Sequence, residues 1–486
     1  MKRSLLFALA PALFAACSSS AVSDAGFPDA QATPPDAGAM DVGAAPDSGA
    51  EPTDSGTAPA DTGAEPADTG TDAGAEPVDS GADAGAAAGD GGIQCGQPFL
   101  IDQDPASNLL GRLGVYAATG QATALSYTNL DDYSDHVLFH DGTSSTALEL
   151  LFTAAEFNGS GSGGAPQGAA RAGYAAFIAP RRINDGSGVV ARRSITGGTW
   201  TGPAVGRRFG GGVNALAIRE NGEVLISGPT NLRRQLAVVS FDLAGSLSAT
   251  VALTPFAENI SDTYLALGAQ DNGAVFALTV DGVIHGYAIR GGAVSPTSVD
   301  LAPPVGVSGL VAAPLPGGDV YVVWGESGIG ATTRGTIFHY DTGSMTASFG
   351  ATDDIAPNSA RLDLKVDADG NLTLLRGSGG HLLVYRRIAG AWSAAMDFGI
   401  GPVNGPETLA LDAEGTAYVT YLDSDVLYLS RAPALSTTWV TPTRIAMAPS
   451  SNSHAIGAIG ARGVVVTYNV ATLMNGGTDV YGIICR

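Results

Sequence analysis

The sequence predicts an all-β fold: a β-propeller of four-stranded antiparallel blades, eight in number with seven as the alternative, preceded by a disordered linker. Three observations lead to this prediction. Tryptophans recur at multiples of 47 or 48 residues, turn glycines separate alternating apolar runs, and the final repeat lacks one strand. Internal periods of about 40 to 50 residues are typical of propellers and solenoids. We favour the propeller because solenoid coils are usually shorter and their strands pair in parallel.

The clearest repeat extends from Leu409 to Trp439. It contains the apolar run Leu409–Leu411, a tight turn, the alternating run Ala417–Tyr421, a polar loop and the run Val426–Leu429. A fourth run is expected to begin at Trp439. Residues such as Val, Leu, Tyr and Thr suit pleated, half-buried strands. The stretch therefore predicts one four-stranded blade.

Marker residues give the period of the repeat. Trp392 and Trp439 are 47 residues apart, and Trp200 and Trp392 are 192 apart, which is four intervals of 48. The remaining positions in this series carry apolar residues: Leu148, Leu247, Val294 and Met345. The first hairpin of each blade is marked by a turn glycine: Gly222, Gly273, Gly318, Gly370 and Gly415. Asn-Gly and Asp-Gly turns favour hairpins because the turn requires positive φ.

The two ends of the folded part, residues 93–486, predict how the ring closes. The last repeat offers only three strands: Ala455–Ile459, Val464–Tyr468 and Val480–Ile484. Gln97–Asp102 lies one period before Leu148 and can supply the fourth strand, so that both termini share a blade and no sheet edge stays open.

The same arrangement brings two cysteines together. Cys485 would end the third strand of the shared blade and Cys95 would begin the fourth, and in a secreted chain such a pair most simply forms a disulfide. Two free thiols or a metal site are the weaker alternatives. Closing so long a loop would stabilise the fold by roughly 5–6 kcal/mol as an upper figure.

The N-terminus resembles the signal of a bacterial lipoprotein. Lys2 and Arg3 precede an apolar run that is shorter than the about 20 residues of a membrane span. The run ends in the order Leu-Phe-Ala-Ala-Cys at Cys17, which resembles a lipobox with Phe14 where Leu is usual. The resemblance implies cleavage before Cys17 and lipidation of this residue; residues 1–17 are thus the signal with its lipobox cysteine. Ser18 in place of Asp implies an outer-membrane lipoprotein, facing the periplasm or the cell surface. An ordinary signal peptide is the alternative.

Residues 18–92 predict a disordered acidic linker. They contain 15 Asp or Glu, no Lys or Arg, and repeats of Gly-Ala-Glu-Pro that begin at Gly49, Gly63 and Gly74. Such a composition buries too little apolar surface to offset the entropy of ordering. We expect an extended spacer; an acidic binding segment is the alternative.

Two turns resemble those of known propeller families. Ser194 to Trp200 reads Ser-Ile-Thr-Gly-Gly-Thr-Trp, which is similar to the Asp-box of sialidase-like propellers but is one residue short and lacks the Asp. Val366 to Leu372 reads Val-Asp-Ala-Asp-Gly-Asn-Leu and looks like the turn of NHL-type propellers. Both resemblances concern the construction of blades, and neither carries a catalytic residue across.

Polar residues mark one face of the ring as the candidate ligand face. In a propeller, the loops between second and third strands share this face with the links between blades. The charged residues predicted there are Asp131, Asp132, Asp135, Arg181, Arg182, Asp185, Arg207, Arg208, Arg233, Arg234, Glu326, Arg334, Asp353, Asp354, His381, Asp423 and Asp425. Arginines at a concave mouth suit carboxylates or sugars. Solvation of loops is the alternative role for each of them.

Catalytic and metal motifs are weak. Asp367 to Asn371 has alternating ligands like a calcium loop, but Leu372 replaces the turn glycine and Ser378 the closing Glu, so we expect a hairpin turn. His136 and His140 would share one face of a strand without other zinc-like ligands nearby. We therefore expect no metal and no cofactor.

The predicted function is that of a lipid-anchored, monomeric envelope protein whose propeller binds a glycan or a protein. The alternative is an envelope enzyme that acts on glycans, such as a sialidase-like hydrolase or a lyase; a structural protein without a small ligand is a third possibility. The net charge of −23 argues against a nucleic-acid partner, since phosphate backbones need clustered Lys and Arg.

Overall fold

The computed structural model describes residues 92–486 apart from short gaps, and all described residues belong to the second of two units of the chain, Asp79–Arg486. The gaps are 105–109, 118–121, 130–133, 154–166, 181–187, 195–196, 207–214, 231–232, 249–250, 304–305, 328–330, 342–343, 345, 358–361, 379–380, 399–407, 448 and 472–477. The predicted signal, Cys17 and nearly all of the predicted linker lie outside the described residues.

The described strands form antiparallel sheets in chain order, each with four strands in succession. Sheet I contains β2 (Leu110–Ala117), β3 (Thr123–Asn129), β4 (Ser134–His140) and β5 (Glu149–Phe152). Sheet II contains β6 (Gln167–Arg171), β7 (Tyr174–Pro180), β8 (Gly188–Ser194) and β9 (Thr201–Gly206). Sheet III contains β10 (Ala215–Ile218), β11 (Val224–Pro229), β12 (Leu236–Phe241) and β13 (Val251–Ala252).

Three of the next four sheets carry an additional short strand beside the third. Sheet IV contains β14 (Ile260–Leu267), β15 (Gly273–Thr279), β16 (Ile284–Arg290), β17 (Ala293–Val294) and β18 (Val299–Leu301). Sheet V contains β19 (Val307–Pro314), β20 (Val320–Glu326), β21 (Thr332–Asp341), β22 (Thr346–Phe349) and β23 (Asp353–Pro357). Sheet VI contains β24 (Leu362–Val366), β25 (Leu372–Ser378), β26 (His381–Ile388), β27 (Ala391–Trp392) and β28 (Met396–Asp397). Sheet VII contains β29 (Thr408–Leu411), β30 (Ala417–Asp423), β31 (Val426–Ala432) and β32 (Thr443–Met447).

A further sheet, the closure sheet, joins the two ends of the described chain. It contains β33 (Pro449–Ala458), β34 (Val464–Ala471), β35 (Thr478–Cys485) and, as its outermost strand, β1 (Phe99–Asp104), which pairs with β35. Cys95 and Cys485 form a disulfide that spans 390 residues of sequence. The predicted sharing of one blade and the predicted disulfide are confirmed.

The sheets follow one another as the blades of a β-propeller. The first strand of each sheet lies beside the first strand of the next, from β2 through β29 to β33, and β33 lies beside β2 again. Apolar side chains from facing sheets fill the seams; for example, Phe276 of sheet IV packs with Trp324 of sheet V. The all-β fold is thus shown, whereas the count of eight blades for the whole protein stays a prediction. Within the described ranges, none of the secondary structure is a helix long and apolar enough to cross a membrane.

Two details of the predicted blade were wrong. Trp439 does not open the fourth strand, which begins four residues later in β32; its ring is 8% exposed and packs between sheets VI and VII against Leu382 and Tyr421. A periodic aromatic residue therefore indicates where side chains fill the space between two sheets; it does not indicate where a strand begins. In the turn before β15, positive φ occurs at Gln270 and Asp271, not at Gly273. A glycine is needed at position 273 because the backbone of Ala266 approaches it closely: a Cβ there would lie 2.0 Å from the carbonyl oxygen of Ala266.

Candidate functional site

The two faces of the ring carry different kinds of polar groups. We call upper the face with the loops between second and third strands and the links between sheets. We call lower the face with the turns between first and second strands and between third and fourth strands. On the lower face, Asp367 accepts backbone N–H bonds from Asp369 at 3.0 Å and Asn371 at 2.8 Å, and Asp412 does the same for Glu414 and Thr416. The predicted hairpin turn at Asp367 is therefore confirmed.

An ionic network on the lower face joins the first turns of sheets II, III and IV. Arg171 of sheet II donates to the carbonyl oxygen of Gly268 in sheet IV at 2.6 Å and lies 3.4 Å from Asp271. Arg219 of sheet III lies 3.3 Å from the other carboxylate oxygen of Asp271 and 2.6 Å from Glu223. These cations have partners within the protein, so the network connects sheets and is not arranged for a ligand.

An open cavity of about 690 Å³ also lies on the lower side, beside the disulfide. It is lined by Phe99, His140, Thr143 and Arg486, among others. Burial lowers the pKa of His140, whose Nδ1 accepts the N–H of Gly142 at 2.9 Å. His136 and His140 do share one face of β4, and their rings contact Tyr127 and Phe99 respectively. No group of three or more His, Cys, Asp or Glu positioned for a metal occurs among the described residues.

On the upper face, a charged cluster lies at the end of β20. Glu326 is 3% exposed and forms an ion pair with Arg334, 2.7 Å from its Nε. Arg334 also contacts the exposed carboxylate of Asp354 at 2.9 Å. One cation thus faces two carboxylates, which leaves the cluster with a net negative charge.

The other predicted face residues that the structure describes have local partners. Asp353 accepts the Tyr321 hydroxyl at 2.7 Å, and His381 Nδ1 lies 3.0 Å from Asp397. Arg233 and Arg234 are exposed in the loop between β11 and β12. Arg233, Arg234, Asp353, Asp354 and His381 come from sheets III, V and VI, and no direct contact between the members of different sheets is found among them. Asp423 and Asp425 are exposed in the turn between β30 and β31, where Asp423 accepts the Ser424 hydroxyl at 3.0 Å. The remaining predicted face residues lie outside the described residues: Asp131, Asp132, Arg181, Arg182, Asp185, Arg207 and Arg208.

A buried acid lies near the upper end of the seam between sheets I and II. Asp135 in β4 is 1% exposed, and its Oδ1 accepts the Thr128 hydroxyl at 2.6 Å. Burial raises the pKa of Asp135 to about 7, against the lowering effect of that hydrogen bond. Burial also raises the pKa of Tyr116 to about 12, and the charge of Asp135 adds to this effect. A carboxyl group with a pKa near neutral pH is about half protonated there and can donate a proton in catalysis.

Arg376, near the end of β25, was not among the residues predicted from the sequence for the ligand face. Its side chain is 1% exposed, and its guanidinium has no hydrogen-bond acceptor and no carboxylate partner in the described part of the chain. The sequence holds a signal for it: Leu372, Leu374 and Arg376 alternate along one strand, which places the arginine on an inward-facing position. Buried cations normally have a counter-charge, so this residue needs an explanation.

Comparison with known proteins supports the fold. No protein-family profile and no curated protein matches the chain. Among solved structures, the chain is similar to the Dos1 propeller, with a TM-score of 0.50, 10% identity, and 80% of this chain and 95% of that one covered. An ulvanlyase of polysaccharide lyase family PL25, bound to a glucuronate- and rhamnose-containing ligand, matches with a TM-score of 0.46, 10% identity, and 79% and 95% of the two chains covered.

The lectin of Aleuria aurantia, solved with Fucα1-6GlcNAc, matches with a TM-score of 0.31, 13% identity, and 53% and 88% of the two chains covered. At an identity this low, the similarity to the Dos1 propeller shows the β-propeller fold alone.

Proposed function

We propose that this protein is a lipid-anchored envelope protein whose propeller binds a polar ligand, a glycan or a protein segment, on its upper face. The observation that carries the proposal is the difference between the two faces. Cations of the lower face bridge different sheets, as Arg171 of sheet II and Arg219 of sheet III do through Asp271 of sheet IV. The upper face instead carries exposed Arg233 and Arg234 and the Glu326–Arg334–Asp354 cluster. Binding sites of propellers and other folds are concave places where a few polar groups converge.

Screening the mature protein against neutral and acidic glycans tests the binding function. The upper-face variant Arg233→Ser/Arg234→Ser should weaken binding about tenfold, since each exposed guanidinium can donate two parallel hydrogen bonds to a carboxylate or to hydroxyls. Arg462→Ser is the matched control, because Arg462 is an exposed arginine of the lower face. Equal binding by both variants would exclude these arginines from the site, and equal loss would contradict the assignment of the face.

The anchor is proposed from the N-terminal sequence, in which Cys17 ends an apolar run typical of a lipobox. Mass spectrometry of the N-terminal peptide from membranes should find a diacylglyceryl group and an acyl chain on Cys17. The Cys17→Ser variant should leave the membrane fraction. An unmodified cysteine in the mature protein would contradict the anchor and leave the binding proposal intact.

A second candidate function, an envelope enzyme acting on glycans, is favoured by one observation. Asp135 is a buried carboxyl group whose pKa of about 7 would allow it to act as a general acid. If the enzyme reading is right, the protein should release reducing ends or unsaturated products from a polysaccharide, and Asp135→Asn should lower that rate by at least about a hundredfold. Turnover that Asp135→Asn leaves unchanged would exclude this residue as the acid.

A further inference from the structure

We infer that the upper end of the seam between sheets V and VI is an oxyanion site, built on Arg376, for a carboxylate or sulfate group of the ligand. The inference rests on the proposed binding function of the upper face and names the chemistry that this face recognises. It starts from the buried guanidinium of Arg376, which is 1% exposed without an acceptor in the described structure.

The direction of the Arg376 side chain follows from its strand. Leu372 and Leu374 pack against Tyr321 and Val323 of sheet V. Because side chains alternate along a strand, Arg376 lies on the same side and faces sheet V. Its paired neighbours across the ladder are Leu362 and Leu383, so neither paired position carries a carboxylate. The next residue of the row, Asp397, lies beyond Leu383 and is 3.0 Å from His381 Nδ1.

Contacts nearer the lower face show which residues of sheet V lie opposite Arg376 along the direction of the strands. Trp392 donates to the Tyr321 hydroxyl at 3.3 Å, and the ladder pairs Trp392 with Arg387 and Arg387 with Leu372. The Tyr321 ring lies over Gly335, which pairs with Val323, so the Leu372 row of sheet VI lies opposite the Tyr321 and Val323 rows of sheet V. Four residues, or about 13 Å, further up both sheets, Arg376 lies at or just above the level of Gly325.

Sheet V presents only small side chains at this height. Gly309 pairs with Gly325, Gly325 with Thr333, and Thr333 with Ala356. A Cβ placed on Gly309 would meet no described atom within 4 Å beyond its chain neighbours. Open space is therefore found at Gly309, one strand inward from Gly325, and no bulky side chain of this row lies between it and the guanidinium.

These observations together describe a recess with one buried positive charge. A guanidinium has several N–H donors and no acceptor, and it binds carboxylate or sulfate oxygens through parallel hydrogen bonds. Burial strengthens such a pair and makes an unpaired cation costly. An oxyanion in the recess would satisfy Arg376, while the recess admits a single charged group of a larger ligand rather than the whole ligand.

The test uses two variants of the mature protein that alter the recess in different ways. Arg376→Met keeps the length of the side chain and removes the charge, and we expect its melting temperature to be equal or higher. Gly309→Val fills the open space and keeps the arginine; Gly309 does not have the positive φ that would strain a valine. Arg444→Met, an exposed arginine of β32, is the control.

The probes are sodium sulfate and sodium acetate, each compared with chloride at equal ionic strength, and oligogalacturonate compared with an uncharged oligosaccharide. We expect the two oxyanions to raise the melting temperature of the parent and the control by several degrees more than that of either recess variant. Oligogalacturonate should bind the parent at least about tenfold more tightly than either variant.

The outcomes separate this inference from the proposed function. If oligogalacturonate binds the parent and both recess variants equally, the oxyanion site is wrong and the binding function stands. If no oligosaccharide binds but sulfate stabilises the parent and not the variants, the oxyanion site stands and glycan binding is wrong. If sulfate and acetate raise the melting temperatures of the parent, the two recess variants and the Arg444→Met control equally, the inference is overturned.

Discussion

Asp135 is the residue whose ionisation should influence stability most visibly. Its carboxyl group is buried, with the Thr128 hydroxyl as its hydrogen-bond donor, and its pKa in the folded protein is about 7 against an ordinary value of 3.8. The folded state therefore holds a proton that the unfolded state has released between these two values. The resulting stabilisation is complete below about pH 4 and is lost as the pH rises through 7.

Asp135→Asn removes this dependence, because the amide stays neutral and its oxygen can still accept the Thr128 hydroxyl. We expect the variant to be similar to the parent near pH 4 and more stable at pH 8, by at most about 4 kcal/mol. Denaturant unfolding at several pH values measures the difference. Asp369→Asn, at an exposed turn position, is the control. A constant difference between parent and variant across this pH range would show that Asp135 does not titrate as proposed.

Arg386 illustrates a buried cation of a different kind from Arg376. It is also 1% exposed, but its guanidinium donates to the carbonyl oxygens of Pro433 and Ser436, both at 2.6 Å, and of Gly415 at 3.2 Å. Burial lowers the pKa of Arg386, while the charge of Asp367 raises it. The Nε of Arg386, like that of Arg376, has no acceptor among the described residues, so the contrast between the two arginines lies in the Nη groups, which have described acceptors only in Arg386.

At the scale of elements, Arg386 connects β26 of sheet VI to the loop before β32 of sheet VII. Arg386→Met would leave three carbonyl groups without their donor, so we expect a loss of about 2–4 kcal/mol in the free energy of unfolding. The fluorescence of Trp439, which packs in the same seam, should report a looser loop. Arg444→Met is the exposed control, and a melting temperature equal to that of the control would contradict the role of Arg386.

The pairing of β1 with β35 is the second element-scale feature that can be tested. The disulfide fixes the start of β1 beside the end of β35. Cys95→Ser/Cys485→Ser should lower the free energy of unfolding by about 2–4 kcal/mol, and by no more than the roughly 5–6 kcal/mol of the chain-entropy limit. Hydrogen exchange should increase first in β1. Unfolding midpoints that are the same with and without the disulfide would contradict a closing role.

The sequence predicted the pairing of β1 correctly but misplaced the start of the fourth strand of sheet VII and the positive φ in the turn before β15. The three-strand last repeat and the cysteines at both ends of the folded part were enough to place β1 beside β35. Trp439 was placed wrongly because a periodic aromatic residue marks where a seam is filled, whereas strand pairing depends on the backbone around it. Gln270 and Asp271, rather than Gly273, take the positive φ because the ion pairs of Asp271 with two arginines hold that turn.

For the whole molecule, the ring could be predicted and the site could not. A period of 47 to 48 residues appears in a single chain, as do the turn residues that define each hairpin. The recess opposite Arg376 depends on rows from two neighbouring repeats, Gly309 to Ala356 in one and Leu362 to Leu383 in the other. Only the strand registers within sheets V and VI show that small residues of one sheet lie opposite the buried arginine of the other.

Hydrogen–deuterium exchange of the mature protein, with and without oligogalacturonate, tests the proposed binding of ligands on the upper face of the propeller. We predict slower exchange on binding at the ends of strands beside the recess, in residues 306–310, 325–327 and 375–378. Exchange should be unchanged in the lower turns, residues 219–223, 367–371 and 412–416. Protection confined to those lower turns would place the ligand on the lower face and contradict binding on the upper face.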